Sequence, residues 1–172
     1  MVKSNRDSEQ AATIVPGLRP ETIEIGPARE GEREWAAQLM AGSEPWITLG
    51  RGIDSCREIC GRPGYRLIIA RDGGQPRGLI LLQRHGVAGS PYVAAIAVEE
   101  AERGKGIGER LLAFAENHVR PEARHIFLCV SSFNIGARRL YERQGYEAVG
   151  ELKDYVIDGA SEVLMQKRLG RS

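Results

Sequence analysis

Apolar positions along the first half of the chain recur with periods that predict distinct elements. Residues 21–26 (ETIEIG) alternate polar and apolar side chains and predict a first strand. Residues 29–40 and 47–60 show helical spacing, and Pro45 separates the two segments. Two apolar runs then flank Asp72, Gly73 and Gly74, which is typical of a β-hairpin.

The second half predicts strands and helices in turn. Residues 91–98 (PYVAAIAV) and 125–130 (HIFLCV) are short apolar runs, and we expect the first to be buried on both faces. The helix between them places five side chains on one face and ends before Pro121: Ile107, Leu111, Phe114, Ala115 and His118. His118 on that face indicates packing.

The last third of the chain predicts one more helix and two strands. Asn134 is a natural N-cap for a helix that runs to Gln144, and Gly145 suits its end. Strands at 146–152 and 161–169 flank Asp158 and Gly159. The whole order predicts an α/β fold with a mixed sheet of about seven strands and about four helices. We expect one domain over residues 18–172 after a disordered polar tail at 1–17.

Composition excludes several classes of function. A net charge of +1 over 172 residues gives no basic surface for nucleic acid, and no apolar run reaches the roughly 18 residues that span a membrane. The N-terminal residues lack the apolar core of a secretory signal. Cys56, Cys60 and Cys129 cannot all pair and have no zinc-site spacing, so we expect buried thiols, no metal and a cytoplasmic location.

The segment RGKGIGERLL, residues 103–112, combines glycines with the start of a helix. Unpaired N–H groups and the helix dipole at such a terminus bind anions, and glycine lets a phosphate approach the backbone. Gly104 and Lys105 are followed by Gly106 rather than Ser or Thr, which excludes the mononucleotide P-loop. The G-x-G-x-G spacing that Gly108 completes also differs from the dinucleotide fingerprint.

Two blocks resemble the GNAT acyltransferase superfamily. The order R-x-x-G-x-G at 103–108, after the strand AIAV, is similar to its pyrophosphate loop. NIGARRLYERQGY at 134–146 is similar to its N-x-x-A-x-x-L-Y-E-x-x-G-F signature, with Tyr146 in place of phenylalanine. The resemblance covers about residues 65–169 and includes the branch that acetylates the alanine N-termini of ribosomal proteins.

The resemblance implies acetyl-CoA in a cleft where the strands at 92–98 and 125–130, the fourth and fifth of the sheet, splay apart. The backbone of Ile96, Ala97 and Val98 would bind the pantetheine arm. The pyrophosphate would lie on Arg103, Gly104, Lys105, Gly106, Ile107, Gly108 and Glu109. Asn134 would contact the cofactor arm, and Tyr141 would lie beside the sulfur.

The chemistry of acetyl transfer assigns roles to these groups. Backbone N–H groups suit the oxyanion that forms when an amine attacks a thioester. Tyr141 is the candidate general acid, because a phenol of pKa about 10 can protonate a leaving thiolate. Relatives carry a glutamate base where this chain has Cys129, a poor base. Glu99 or Glu100 acting through water, or no dedicated base at all, remain open.

We therefore predict an N-acetyltransferase that moves acetyl directly from acetyl-CoA to a primary amine. Four side chains are candidates to line the acceptor site: Glu44, Trp46, Tyr155 and Glu162. Trp46 has the alternative role of fixing the helix pair to the core. The acceptor can be a small amine or a peptide N-terminus. A non-catalytic acyl-CoA sensor and a transferase of another acyl group are the alternatives, and an exposed final strand is a candidate homodimer contact.

Overall fold

The computed structural model describes residues 23–170, so the predicted tail at 1–17 and the first two residues of the predicted first strand lie outside it. The secondary structure agrees with the predicted order and includes two short 3₁₀ turns, Val87–Gly89 and Glu100–Glu102. The helices and strands are β1 (Ile23–Pro27), α1 (Glu32–Ala41), α2 (Ile53–Gly61), β2 (Tyr65–Asp72), β3 (Gln75–Gln83), β4 (Tyr92–Val98), α3 (Ile107–Val119), β5 (His125–Ser131), α4 (Ile135–Arg143), β6 (Glu147–Lys153) and β7 (Ser161–Arg168).

The seven strands form one mixed sheet in the order β1-β2-β3-β4-β5-β7-β6. Only β4 and β5 are parallel; the other neighbours are antiparallel. Apolar side chains pack on both faces, with α1 and α2 over Ile69 and Leu81 on one side and α3 over Ile68 and Ile80 on the other. The predicted α/β fold and mixed sheet are confirmed.

The β4–β5 pair opens after a short region of contact. Tyr92 pairs with Phe127 and Val93 with Leu128, and the pairing ends there although both strands continue. The β3–β4 register also shifts next to Val93, which leaves Ala94 as an extra residue. Such a bulge bends and twists its strand. The separation leaves the β5-facing backbone groups of β4 beyond Val93 without a strand partner.

Three predicted details are wrong. The predicted helix at 47–60 begins only at Ile53, because residues 43–50 form turns and Gly50 has a φ of +65°. The strand predicted to be buried on both faces, β4, alternates buried and partly exposed residues, because one side of it borders the open gap. The final strand β7 is not an edge; it lies between β5 and β6, and β6 is the exposed edge. A homodimer therefore stays a prediction, and so does the single domain.

The helices of the described residues are all too short and polar to cross a membrane.

Candidate active site

The gap between β4 and β5 opens into a cavity of about 470 Å³. Its floor is the free side of β4, with Ile96, Ala97 and Val98, and its walls are the N-terminus of α3 and one side of α4. Among residues 23–170, no side chain caps the first turn of α3. The cavity therefore presents unpaired N–H groups from a strand and from a helix terminus, which suits a polar chain that ends in an anion.

The three glycines around the start of α3 serve different structural purposes. Gly104 and Gly106 have φ values of +76° and +81°, a region that L side chains rarely adopt, and open space lies where a Cβ would project from either. Gly108 instead permits close helix packing, since a Cβ there would lie 3.3 Å from Leu140 Cδ2. Two glycines thus shape the backbone of the cavity, and the third brings α3 against α4.

Charged side chains surround this turn unevenly. Arg103 lines the cavity, and its Nε donates a hydrogen bond to the Val98 carbonyl at 3.2 Å. Lys105 does not line the cavity, and its Nζ pairs at 3.0 Å with Glu102, which does. Glu109 lines the cavity and is 3.7 Å from an Arg143 nitrogen. The positive groups of the cavity are therefore the main-chain N–H groups of the turn, Arg103 and Arg143, and they share the lining with the carboxylates of Glu44, Glu102 and Glu109.

Asn134 and Tyr141 stand on α4 where the wide cavity meets a second one. The Asn134 side-chain oxygen accepts the Ala137 N–H at 3.2 Å, so that oxygen caps α4. Both residues line both cavities, together with Ile96 and Ala137. The shared border means that ligands in the two cavities would meet beside Tyr141.

Tyr141 is buried, and burial raises the pKa of its phenol above the usual value of about 10. In the part of the chain that the structure describes, no side chain or backbone group is hydrogen-bonded to its hydroxyl. The hydroxyl therefore stays protonated at neutral pH and is available to donate to a ligand.

The second cavity, of about 370 Å³, lies on the α1–α2 side of the gap. Aromatic side chains make much of its lining: Trp46, Tyr65, Tyr92 and Tyr155. Its polar lining includes Cys129, Ser131 and Glu162, on the adjacent strands β5 and β7. Trp46 lines this cavity and is also buried against the α1–α2 core, as its predicted packing role requires.

Two groups of this cavity keep their protons. Burial, the Cys129 thiol and the charge of Glu162 together raise the pKa of Tyr92, burial being the largest cause. Burial raises the pKa of the Cys129 thiol, and the Glu162 charge adds to the increase, although a hydrogen bond with Tyr92 opposes it. Glu162 is the acidic side chain among the lining residues, and its Oε1 accepts a 2.5 Å hydrogen bond from the Ser131 hydroxyl.

Several predicted candidates are not part of this cavity. Glu44 borders the wider cavity instead and accepts hydrogen bonds from the backbone N–H and the hydroxyl of Thr48. Glu99 and Glu100 border neither cavity, and Glu99 pairs with Arg77 at 2.9 Å. Within residues 23–170 there is no group of three metal-ligating side chains, and Cys56 and Cys60 are buried free thiols.

The packing expected for His118 is present. Its ring stacks on Phe114 at 6.4 Å between centroids, and its Nε2 lies 2.7 Å from Arg66.

The sequence did not indicate Ser131 or Tyr92 as site residues. Tyr92 opens the strand at 92–98, and Ser131 follows the apolar run of β5, so each resembles an ordinary strand residue. Their place in the site follows from the register, which sets Tyr92 beside β5 and Ser131 opposite Glu162. Such cross-strand pairs cannot be deduced without the strand order.

Comparison with known proteins gives a family and three curated relatives, including two N-acetyltransferases. The model of the acetyltransferase (GNAT) family matches residues 32–146. The N-alpha-acetyltransferase RimI of Mycobacterium tuberculosis is 31% identical over 141 residues, covering 80% of this chain and 84% of that protein. An uncharacterized N-acetyltransferase of Methanocaldococcus jannaschii is 38% identical over 82 residues, covering 46% of this chain and about half (53%) of that relative.

Solved structures have the same fold. A GNAT-family protein of Desulfovibrio desulfuricans superposes with a TM-score of 0.73 at 20% identity, covering 86% of this chain and 99% of that one. An aminoglycoside 6'-N-acetyltransferase complexed with coenzyme A gives a TM-score of 0.71 at 17% identity, with coverage of 87% and 98%.

Proposed function

Because this chain belongs to the GNAT acetyltransferase family and is an N-acetyltransferase, we propose that it transfers acetyl directly from acetyl-CoA to a primary amine. One observation carries the proposal: two cavities of different character share a border at Tyr141. A thioester in one cavity and an amine in the other would meet beside a protonated phenol.

The wider cavity is proposed to hold the CoA moiety of acetyl-CoA. The free edge of β4 at Ile96 to Val98 offers backbone groups at strand spacing, which suits the amide-bearing pantetheine arm. The unpaired N–H groups that follow Gly104 and Gly106 suit a pyrophosphate. The CoA complex of an aminoglycoside acetyltransferase with the same fold supports this assignment. Lys105 contributes only long-range charge, since it does not line the cavity and its side chain pairs with Glu102.

Tyr141 is proposed as the general acid. Its hydroxyl has no hydrogen-bond partner among the described residues, and it stays protonated at neutral pH. A positioned proton donor of this kind lowers the barrier to departure of the thiolate and typically raises the rate by about 10²- to 10⁴-fold. Asn134 is proposed to fix the start of α4, since its oxygen already serves as the cap.

Direct transfer is favoured over an acetyl-cysteine intermediate. A cysteine nucleophile reacts as its thiolate, and nucleophilic cysteines have lowered pKa values. Cys129 has the opposite environment, because burial and the nearby Glu162 raise its pKa. Cys56 also lines the second cavity, and burial raises the pKa of its thiol as well. Cys60 is buried in the α1–α2 core, where burial raises its pKa to about 11.

The proposed acceptor is a cationic primary amine, either a small molecule or a peptide N-terminus. One carboxylate, Glu162, among aromatic side chains suits an ammonium group. Relatives include an N-alpha-acetyltransferase, and proteins of the same fold include aminoglycoside acetyltransferases, so both kinds of acceptor have precedent. A cytoplasmic location and the absence of a metal stay predictions.

A panel of acceptors tests the proposal. The protein would be incubated with acetyl-CoA and with amines, amino sugars or peptides, and thiol release would be followed. Release that depends on an amine supports the enzyme, whereas binding of acetyl-CoA with no release for any acceptor supports the acyl-CoA sensor. Faster release from propionyl- or succinyl-CoA would assign a different acyl group.

A further inference from the structure

We infer that Glu162, held in place by Ser131, receives the acceptor's ammonium group and serves as the general base for acetyl transfer. The inference rests on the proposed function. It assigns the general base, a role that neither the glycine segment at 103–112 nor the block at 134–146 supplies. It places the base on β7, one strand away from Cys129 on β5.

The contacts of Glu162 position its carboxylate. Ser131 and Glu162 face each other across the β5–β7 ladder, and the Ser131 hydroxyl donates to Oε1 at 2.5 Å. Both side chains are buried, and both line the acceptor-side cavity. Among residues 23–170, no hydrogen bond or ion pair reaches Oε2. One carboxylate oxygen is therefore fixed by the sheet, and the other remains for a ligand.

The absence of a cationic partner for Glu162 is informative. A buried carboxylate in a folded protein is normally paired, because an isolated buried charge costs several kcal/mol. Glu116, another buried carboxylate of this chain, has Lys167 at 2.6 Å. Glu162 has only a neutral serine within hydrogen-bond distance in the described part of the chain. The acceptor's ammonium is the cation that would complete this pair.

Other groups near the border are poorer bases. Cys129 and Tyr92 keep their protons because their pKa values are raised. Glu99 is paired with Arg77 outside the cavity. Glu162 is the acidic side chain among the cavity's lining residues. Glu162 can therefore act as the general base, a role for which Cys129 is unsuited.

The proposed reaction balances as follows. The ammonium gives one proton to the Glu162 carboxylate and becomes a neutral amine. The amine nitrogen forms a bond to the acetyl carbon while the bond from that carbon to sulfur breaks, and Tyr141 gives its proton to the sulfur. The second proton lost by the nitrogen restores Tyr141, and Glu162 returns its proton to solvent. The products are the amide, CoA thiol and one released proton.

Titratable and charged groups from several elements line the cavity around Glu162. Tyr92 on β4 and Cys129 on β5 affect its surroundings as neutral groups at pH 7. The other titratable or charged residues that line the cavity are Arg51 and Arg62 beside α2, Cys56 on α2, Tyr65 on β2, Tyr141 on α4 and Tyr155 after β6. Arg62 is paired with Glu58, and both partners are largely exposed.

The test compares full-length wild type with Glu162→Gln, using the best acceptor from the panel. Glutamine keeps the oxygen that Ser131 donates to but cannot take a proton. We expect kcat/KM at pH 7 to fall by roughly 10²-fold, the usual contribution of a general base. The loss should shrink as pH rises toward the amine's own pKa, since the free amine then exists in solution. It should also be smaller for an α-amine of pKa about 8 than for a lysine-like amine of pKa about 10.4.

Two controls separate this role from a structural one. Glu147→Gln removes an exposed carboxylate from the edge strand β6 and should leave the rate and the pH profile unchanged. Ser131→Ala should shift the pH profile while Glu162 remains. A Glu162→Gln enzyme with the wild-type rate and profile, or a loss that is the same at every pH, would overturn the inference. A wild type that acetylates no amine would instead overturn the proposed function.

Discussion

The parallel pairing of β4 and β5 ends at Val93 and Leu128, and everything proposed for this protein depends on that separation. Beyond it, β4 has free backbone groups, α3 presents an uncapped N-terminus to the gap, and Tyr141 borders both cavities. A ligand bound along the free edge of β4 in the wider cavity would touch a ligand in the second cavity only beside Tyr141.

Replacing Tyr141 by Phe tests the general acid. The variant keeps the ring in its buried position and removes only the proton donor, so we expect kcat to fall by roughly 10²-fold with CoA affinity nearly unchanged. Tyr146→Phe is the matched control, because the rings lie 6.0 Å apart and Tyr146 borders neither cavity. Equal turnover in Tyr141→Phe and wild type would exclude the assigned role.

Gly106→Ala tests the anion site at the start of α3. A residue with a Cβ at a φ of +81° costs about 1–2 kcal/mol or shifts the turn, so the affinity for CoA should fall at least tenfold. Gly74→Ala carries a similar strain, at a φ of +79° in the β2–β3 hairpin, and should lower stability without changing CoA affinity. Calorimetric titration with CoA would show the difference. Equal affinities in the two variants would argue against a pyrophosphate at this turn.

The buried pair of Arg71 and Glu32 predicts an acid-sensitive part of the fold. Arg71 is 1% exposed, and its Nε and Nη2 donate to the two Glu32 oxygens at 2.7 and 2.6 Å. Glu32→Gln leaves that guanidinium with only the exposed Glu24 carboxylate, 3.8 Å away, as a charged partner. We therefore expect the free energy of unfolding in urea at pH 7 to fall by about 3 kcal/mol. Glu34→Gln, which breaks an exposed pair with Arg57, should have little effect.

The stability difference between wild type and Glu32→Gln should depend on pH. The hydrogen bonds from Arg71 hold the pKa of Glu32 below its usual value of about 4.5. A lowered folded-state pKa gives stability that is complete above the unfolded value and is lost as pH falls through the folded one. The difference should therefore be constant from pH 6 to 8 and shrink below about pH 4.5. A difference that grows on acidification would contradict the pairing.

Direct transfer predicts that the protein alone does not become acetylated. Incubation with acetyl-CoA without an amine should leave Cys129 unmodified, because its raised pKa disfavours the thiolate. Initial rates with both substrates varied should give intersecting lines, as a ternary complex requires. An acetyl group on Cys129 that a later amine removes, with parallel lines, would show the covalent route instead.

Much of the fold was predictable because its signals are local. The hairpin at Gly73 and Gly74, the N-cap at Asn134 and the glycine turn each specify backbone geometry within a few residues, and the structure has all three. The start of α2 was not predictable in this way, because residues 47–52 keep an apolar pattern that the turn after α1 interrupts. The place of β7 inside the sheet is also a non-local property, set by its pairing with both β5 and β6.

The candidate site also contains both local and non-local features. The N–H groups of the glycine turn and Tyr141 could be predicted from the sequence, because each belongs to a contiguous motif. The contact of Ser131 with Glu162 depends on strand register, and the sequence separates the two residues by 31 positions. Lys105 shows the limit of a motif. It is part of the glycine segment, but its side chain forms an ion pair with Glu102, three residues earlier, and does not line the cavity.

The most direct measurement of the central claim is the mass of the amine product. Wild-type protein, acetyl-CoA and the best acceptor of the panel would be incubated, and CoA thiol and acceptor mass measured in the same sample. The account predicts one acetyl group on the acceptor's nitrogen for each CoA released, with the rate strongly reduced in Tyr141→Phe. CoA release without acetylated amine, or tight acetyl-CoA binding with no product from any acceptor, would contradict it.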